Sequence, residues 1–236
     1  MIKGIYSVAR GMVQRSQNID IIANNIANIN TTAYKREIPF SEYINEAGEA
    51  QFKKLTSMQQ GETVLTSNPL DVAISGRGFF MIKNSDGQYE LTRDGRFRLS
   101  DDGYLVDGAG NKVQGKSGEI YMGELIRNKD SEIKISNNGE IRVGNQFIDT
   151  ILVVNVEFPE SLSRIGASNF LLGNQPFKEL NEDDFKLAQG YLEESNTNPI
   201  LEMEAMIALN KSYETSQKII NALDQSLDHA NQIGKI

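Results

Sequence analysis

The chain of 236 residues contains no cysteine, one histidine, no long apolar run and no excess of positive charge, with 24 Lys and Arg against 32 Asp and Glu for a formal net charge of -8. Without cysteine there are no disulfides, thiolate metal sites or thiol nucleophiles, and the redox compartment is left open. His229 alone supports neither a catalytic triad nor a two-histidine metal site, and near a helix end it reads as a surface side chain. The acidic balance, with no concentrated Lys or Arg segment, excludes the basic face of a nucleic-acid binder. No stretch approaches the roughly 18 apolar residues of a membrane span. The N-terminal residues show no continuous apolar segment and no cleavage site, so secretion by a cleaved signal peptide is not expected. Length admits one or two domains.

What is present begins with matching apolar repeats at the two ends. Ile5, Met12, Ile19 and Ile26 fall seven residues apart, followed by a second row of Val8, Ile22 and Ile29 that Arg15 interrupts. Met206, Tyr213, Ile220 and Leu227 repeat the spacing, with Leu209, Leu223 and Ala230 behind them and Ser216 as the polar interruption. Such stripes are the seams of a coiled coil or helical bundle. They also spill over, at Val13 and Ile21 in the first helix and at Leu201, Ile207 and Ile219 in the last. A helix apolar beyond one stripe needs contacts on more than one side. A helix of about 25 residues, roughly 38 Å long, is marginal in water without support, so both ends are expected to become ordered when neighbouring subunits bury them.

The helix ends are marked. Asn30, Thr31 and Thr32 place the first stop near Ile29, since short polar side chains compete for backbone hydrogen bonds. Asn198 and Pro199 carry the signature of an N-cap and first helical position, with Glu202 and Glu204 near the positive end of the dipole. Gly234 is the expected stop. Between the helices the punctuation is that of strands. Asp86-Gly87, Asp94-Gly95, Asp102-Gly103, Asp107-Gly108 and Asn138-Gly139 predict hairpin turns, and short apolar or alternating runs lie around them: 70–74, 79–83, 89–92, 97–99, 104–106, 133–135, 141–143 and 151–156. The pattern predicts an α+β chain whose N- and C-terminal α-helices pair as a coiled coil or bundle, with a central antiparallel β-barrel or β-sandwich. The expected organisation is a helical assembly domain from 1–30 with 195–236, a connector over 31–69, a β-domain over 70–175 and a return linker over 176–194.

Residues that invite a chemical reading resolve into turns and solvated faces. Asp101, Asp102 and Asp107 lack EF-hand spacing and its terminal glutamate, and read as turn chemistry. Gly76-Arg77-Gly78 leads into a strand-like Phe79-Phe80 run rather than a helix N-terminus, and reads as a bend rather than a phosphate cradle. Glu182-Asp183-Asp184 reads as a solvated loop. The asparagines Asn24, Asn25, Asn28 and Asn30 admit two readings, a solvated helix face or contacts with adjacent subunits, where a desolvated amide hydrogen bond is consequential. No catalytic residue, cofactor or metal ligand is expected.

The residues 22–36, Ile-Ala-Asn-Asn-Ile-Ala-Asn-Ile-Asn-Thr-Thr-Ala-Tyr-Lys-Arg, closely resemble the N-terminal signature of the bacterial flagellar rod and hook proteins. Leu70 to Phe80, followed by Thr92-Arg93-Asp94-Gly95-Arg96-Phe97 and Gly103-Tyr104-Leu105-Val106, resembles the family's central motif. Gln189 to Asn196 and Met206 to Lys218 resemble its C-terminal signature. One departure is Ala33, where the family usually has glycine; if that position needs positive φ, alanine strains it. The short chain, with no large insertion before the β-domain, looks more like a proximal rod subunit than the distal rod or the hook. The resemblance implies a structural subunit exported by the flagellar apparatus without signal cleavage. Partners are then copies of itself and other rod or hook proteins, and open head-to-tail contacts would give a helical polymer in the periplasm that transmits torque. The implied assembly residues are Ile19, Ile22, Asn24, Asn25, Ile26, Asn28, Ile29, Met206, Leu209, Tyr213, Ile220, Leu223 and Leu227, with Thr31, Tyr34 and Lys35 in the motif turn. Two rivals are a self-contained β-rich scaffold or adhesin with an intramolecular coiled coil, and a carbohydrate-active enzyme, for which the sequence positions no carboxylate pair.

Overall fold

A computed structural model describes residues 2–39, 55–123, 132–173, 175–181 and 183–233. The chain divides into two compact units, one formed by 1–27, 37–55 and 198–236, the other by 28–36 and 56–197.

The first unit is helical. Helix α1 runs Ile2–Ala27 and helix α2 runs Pro199–Ile233. The first stops two residues before Ile29, in a turn over 28–30. The start of α2 follows the expected cap: Asn198 Oδ1 accepts from the backbone N–H of Ile200 (3.0 Å) and Leu201 (3.2 Å), satisfying donors that have no intrahelical partner. Gly234 lies outside the described residues. No described helix is long and apolar enough to cross a membrane.

The second unit is antiparallel β. Its main sheet runs in the order 163–165, 169–171, 89–92, 79–83, 112–115, 105–106, 98–99, and 118–119 pairs with 112–115. Strand Phe79–Lys83 is the branch point. One edge pairs with 89–92, while the other is shared between Val113 and Lys112 at Ile82 and Lys83, and Val153 and Val154 at Phe80 and Phe79. Because that edge is divided between two partners, the sheet forks, and among the described residues it does not close into a barrel. A three-stranded sheet (133–135, 140–143, 146–150) and two ribbons, 72–76 with 185–189 and 63–65 with 191–193, complete the unit.

Strand 79–83 reads as an unbroken apolar run because both of its faces are covered. Phe80 and Ile82 enter one core with Val72, Ile74, Phe97 and Ile141. Phe79 and Met81 enter a second with Leu91, Val154 and Phe170. Each fully buried side chain of this kind contributes roughly 1.5–3 kcal/mol, and Phe80 meets Phe97 edge to face at 5.1 Å.

Of the expected glycine turns, Gly87, Gly103 and Gly139 adopt positive φ. Gly95 does not, and its requirement is space: a Cβ there would lie 1.7 Å from the carbonyl oxygen of Val72. In the 107–111 turn the positive φ falls on Gly110 rather than Gly108. Asp107 closes that turn by accepting from the backbone of Ala109 and Asn111, both at 2.8 Å. The bend at Gly76-Arg77-Gly78 has φ of 109° and 112° at its glycines.

Candidate assembly interface

In the helical unit the seven-residue rows separate by exposure. Ile5, Val8, Met12, Arg15, Ile19 and Ile26 are half-buried and Ile22 is buried; on α2, Met206, Leu209, Tyr213, Ile220, Leu223 and Leu227 are half-buried and Ser216 is buried. The polar interruptions of the two rows lie together: Arg15 Nε donates to Ser212 Oγ at 2.8 Å, and Ser216 Oγ donates to the Ser212 carbonyl at 2.9 Å. The spill-over residues mostly face outward. Val13, Leu201 and Ile219 are exposed with Ile207 (56%), and α2 adds Met203 and Ile200 (74%); Ile21 is the exception and is buried.

The asparagines divide. Asn24 and Asn30 are exposed. Asn25 is buried, and its amide is used within the chain, donating from Nδ2 to the Glu37 carbonyl (2.8 Å) and to Glu202 (3.3 Å) while Oδ1 accepts from the Glu37 N–H (2.9 Å). Asn28 Oδ1 accepts from Thr31 Oγ1 at 3.0 Å. Ile29 and Thr31 are half-buried.

In the β unit the motif turn leads to a buried ionic clasp. Ala33, Tyr34 and Lys35 are all buried. Lys35 Nζ donates to Glu193 Oε1 at 2.5 Å and to the Gln59 carbonyl at 2.7 Å, with side-chain exposures of 1% for Lys35 and 0% for Glu193. Arg93, 5% exposed, reaches the other carboxylate oxygen at 3.3 Å and the carbonyl of Gly76 at 2.7 Å. The Gly61 N–H also donates to Glu193, at 2.9 Å. Burial pushes the Lys35 ammonium below its usual range; Glu193 opposes that shift and Arg93 adds to it. Burial likewise lowers Arg93, against the pull of Glu193.

Backbone bonds lace the same three segments. The Ala33 N–H donates to the Glu193 carbonyl (2.8 Å) and the Asn196 N–H to the Tyr34 carbonyl (3.2 Å). Asn196 accepts from the Arg36 N–H at 2.7 Å and donates to the carbonyls of Ser57 and Gln59. The guanidinium of Arg164 lies 4.4 Å from the centre of the Tyr34 ring and donates to the Lys35 carbonyl. The clasp therefore holds the segment that follows α1 against the segment that precedes α2. Ala33 does adopt positive φ, at 56°. The turn is thus built in the left-handed conformation despite the alanine, at a cost of about 1 kcal/mol or more.

Of the motif turn, Lys35 is the residue that the sequence identified and the structure makes central. Arg93, Glu193 and Asn196 stand inside the family motifs without a role of their own in the sequence, and Glu202, expected to serve the helix dipole, also meets Asn25. Charge complementarity between motifs far apart in the chain is the signal that links them.

Comparison with known proteins supplies the remaining finding. Residues 5–35 match the family described as flagella basal body rod protein, 73–143 the flagellar hook protein FlgE/F/G D1 domain, and 188–233 the flagellar basal body rod FlgEFG protein C-terminal region. The flagellar basal-body rod protein FlgG of Borreliella burgdorferi is 32% identical, over 99% of this chain and 99% of its own. The flagellar basal-body rod protein FlgF of Mesorhizobium japonicum is 28% identical over 98% of this chain and 97% of its own. FlgG of Caulobacter vibrioides is 28% identical over 98% and 99%.

Proposed function

Since the chain belongs to the family of flagellar basal-body rod proteins, and is a structural subunit of that rod, we propose that it polymerises through α1 and α2 into a helical tube that carries torque across the periplasm. The observation that carries this reading is the second apolar face of the helices. With the seam positions already half-buried or buried, Val13, Ile200, Leu201, Met203 and Ile207 still stand more than half exposed. Rows of exposed aliphatic side chains along a helix are a docking face for other helices. In this reading the seam is a coiled coil, the exposed rows bind adjacent subunits, and Asn24 and Asn28 contribute polar contacts at the same interface. The three-stranded sheet and the main sheet form a sandwich around the first core.

The role is mechanical rather than catalytic, in keeping with the family. A self-contained scaffold with an intramolecular coiled coil leaves the outer rows unexplained. The proximal position is favoured by the short chain, 236 residues, with no large insertion before the β-domain. Export through the flagellar apparatus without signal cleavage completes the reading.

Ile22 is a poor probe of assembly, because it is buried within the single chain and Ile22→Asp would damage the fold itself. Ile207→Asp is the sharper test. The variant should fold, be produced at normal levels and yield cells without complete rods, seen as loss of motility and of intact basal bodies by electron microscopy. Normal rods would sink the proposal.

A further inference from the structure

The ionic clasp is not charge-balanced. Lys35 and Arg93 share a single carboxylate, Glu193, and all three side chains are buried. A buried unit charge lacking a counter-ion is strongly unfavourable, and an arginine cannot shed its proton near neutrality. Arg93 Nε is in addition a buried donor without a hydrogen-bond partner among the described residues. Beside these groups opens a pocket of about 200 Å³ lined by Lys35 and Arg93 together with Arg77, Phe79, Asn155 and Glu157. Three cations thus face one acid on its wall, with Glu193 as the second acid behind it. Guanidinium groups favour planar, bidentate acceptors, and apolar surroundings strengthen such pairs.

We infer that this pocket is a carboxylate site, filled in the assembled rod by an Asp or Glu side chain of a neighbouring copy of this chain. The net charge of -8, with 32 acidic residues, makes the surface of one copy rich in the group that the pocket of the next lacks. Such an anchor would neutralise the clasp only on assembly, adding a polar contact in the β unit to the apolar contacts of the helices. The inference deepens the assembly reading and rests on it.

Phe158, exposed and adjacent in sequence to Glu157, allows a conservative photo-crosslinker. With p-benzoyl-phenylalanine at position 158 in the full chain, irradiation of cells assembling flagella should give an adduct with a second copy, attached within a peptide that carries Asp or Glu. Arg77→Glu, on the exposed rim, should reduce self-association of the purified chain about fivefold, while Arg77→Lys retains it. The Arg93 Nε–H resonance should move as the protein concentration rises and copies associate. Absence of the adduct, or attachment only to peptides without an acid, would overturn the inference. So would a resonance that responds to acetate at high dilution but not to self-association, since that marks a site for free anions. A silent Arg77→Glu beside a defective Ile207→Asp removes this pocket and leaves the helical assembly standing; normal rods with Ile207→Asp remove the assembly reading itself.

Discussion

Replacing Glu193 by alanine should be among the most damaging single substitutions in the β unit, and its size can be worked out from the clasp. The change leaves Lys35 and Arg93, 1% and 5% exposed, facing each other without an anion, and removes the acceptor of the Gly61 N–H. Breaking a buried ion pair costs about 3–5 kcal/mol, out of roughly 5–15 kcal/mol for a whole domain. At about 2–4 °C per kcal/mol for a unit of this size, the melting temperature should fall by ~6–20 °C. The loss has a definite pH dependence. Burial already holds the folded Lys35 below its ordinary value of 10.5, and deleting Glu193 removes the influence that opposed this. Between the folded pKa and 10.5 the unfolded chain binds the extra proton, so stability rises with pH through that window and is lowest below it. Arg93 offers no such escape. Thermal unfolding followed by circular dichroism, from neutral to alkaline pH, measures both effects. Glu193→Gln, which keeps an acceptor for Gly61, should fall between the wild type and the alanine variant. A Glu193→Ala protein melting within 2 °C of wild type, with no gain in relative stability at high pH, would refute the reasoning.

Further outcomes follow from other positions. Ala33→Gly should change stability by no more than about 1 kcal/mol, because relief of left-handed strain (roughly 1–2 kcal/mol) is offset by a lost buried methyl (about 0.8) and glycine entropy (about 0.5–1); a shift in denaturation midpoint beyond that range would contradict the balance. Gly95→Ala should destabilise by about 3 kcal/mol or more through the clash with the Val72 carbonyl, measurable by urea unfolding. Ile207→Asp should leave the urea midpoint of the isolated chain within about 0.5 kcal/mol of wild type, separating a folding defect from the assembly defect.

The two helices were legible because their evidence is repeated: seven-residue rows, the cap at Asn198 and the turn after α1 all agree. Strands 79–83, 89–92 and 133–135 were legible with their bounds, since a dense apolar run or clean alternation sits between turns. Strands 112–115, 146–150 and 163–165 escaped, being short and mixed in polarity, as in Ser163-Arg164-Ile165, where pairing with neighbours outweighs any periodicity. Strands 177–179, 185–189 and 191–193, in the stretch read as a return path, hold their places by pairing with partners remote in the chain. Asn25 illustrates the limit of reading a helix by itself, since the carboxylate it meets lies 177 residues away. The clasp was hidden for the same reason, with Lys35 and Glu193 158 residues apart. Ala33 shows the reverse, since the motif itself flagged a strained backbone where the structure has one.

The two polar contacts between α1 and α2, Arg15 with Ser212 at the middle of α1 and Asn25 with Glu202 near its C-terminal end, act as index pins. In the proposed coiled coil, a seam with a seven-residue repeat is nearly indifferent to sliding by one period, about 10 Å at 1.5 Å per residue, because most apolar side chains would meet apolar partners. The pins remove that indifference: a slipped pair would break both contacts. A helix pair built this way can be apolar along its length and still be keyed against axial slip.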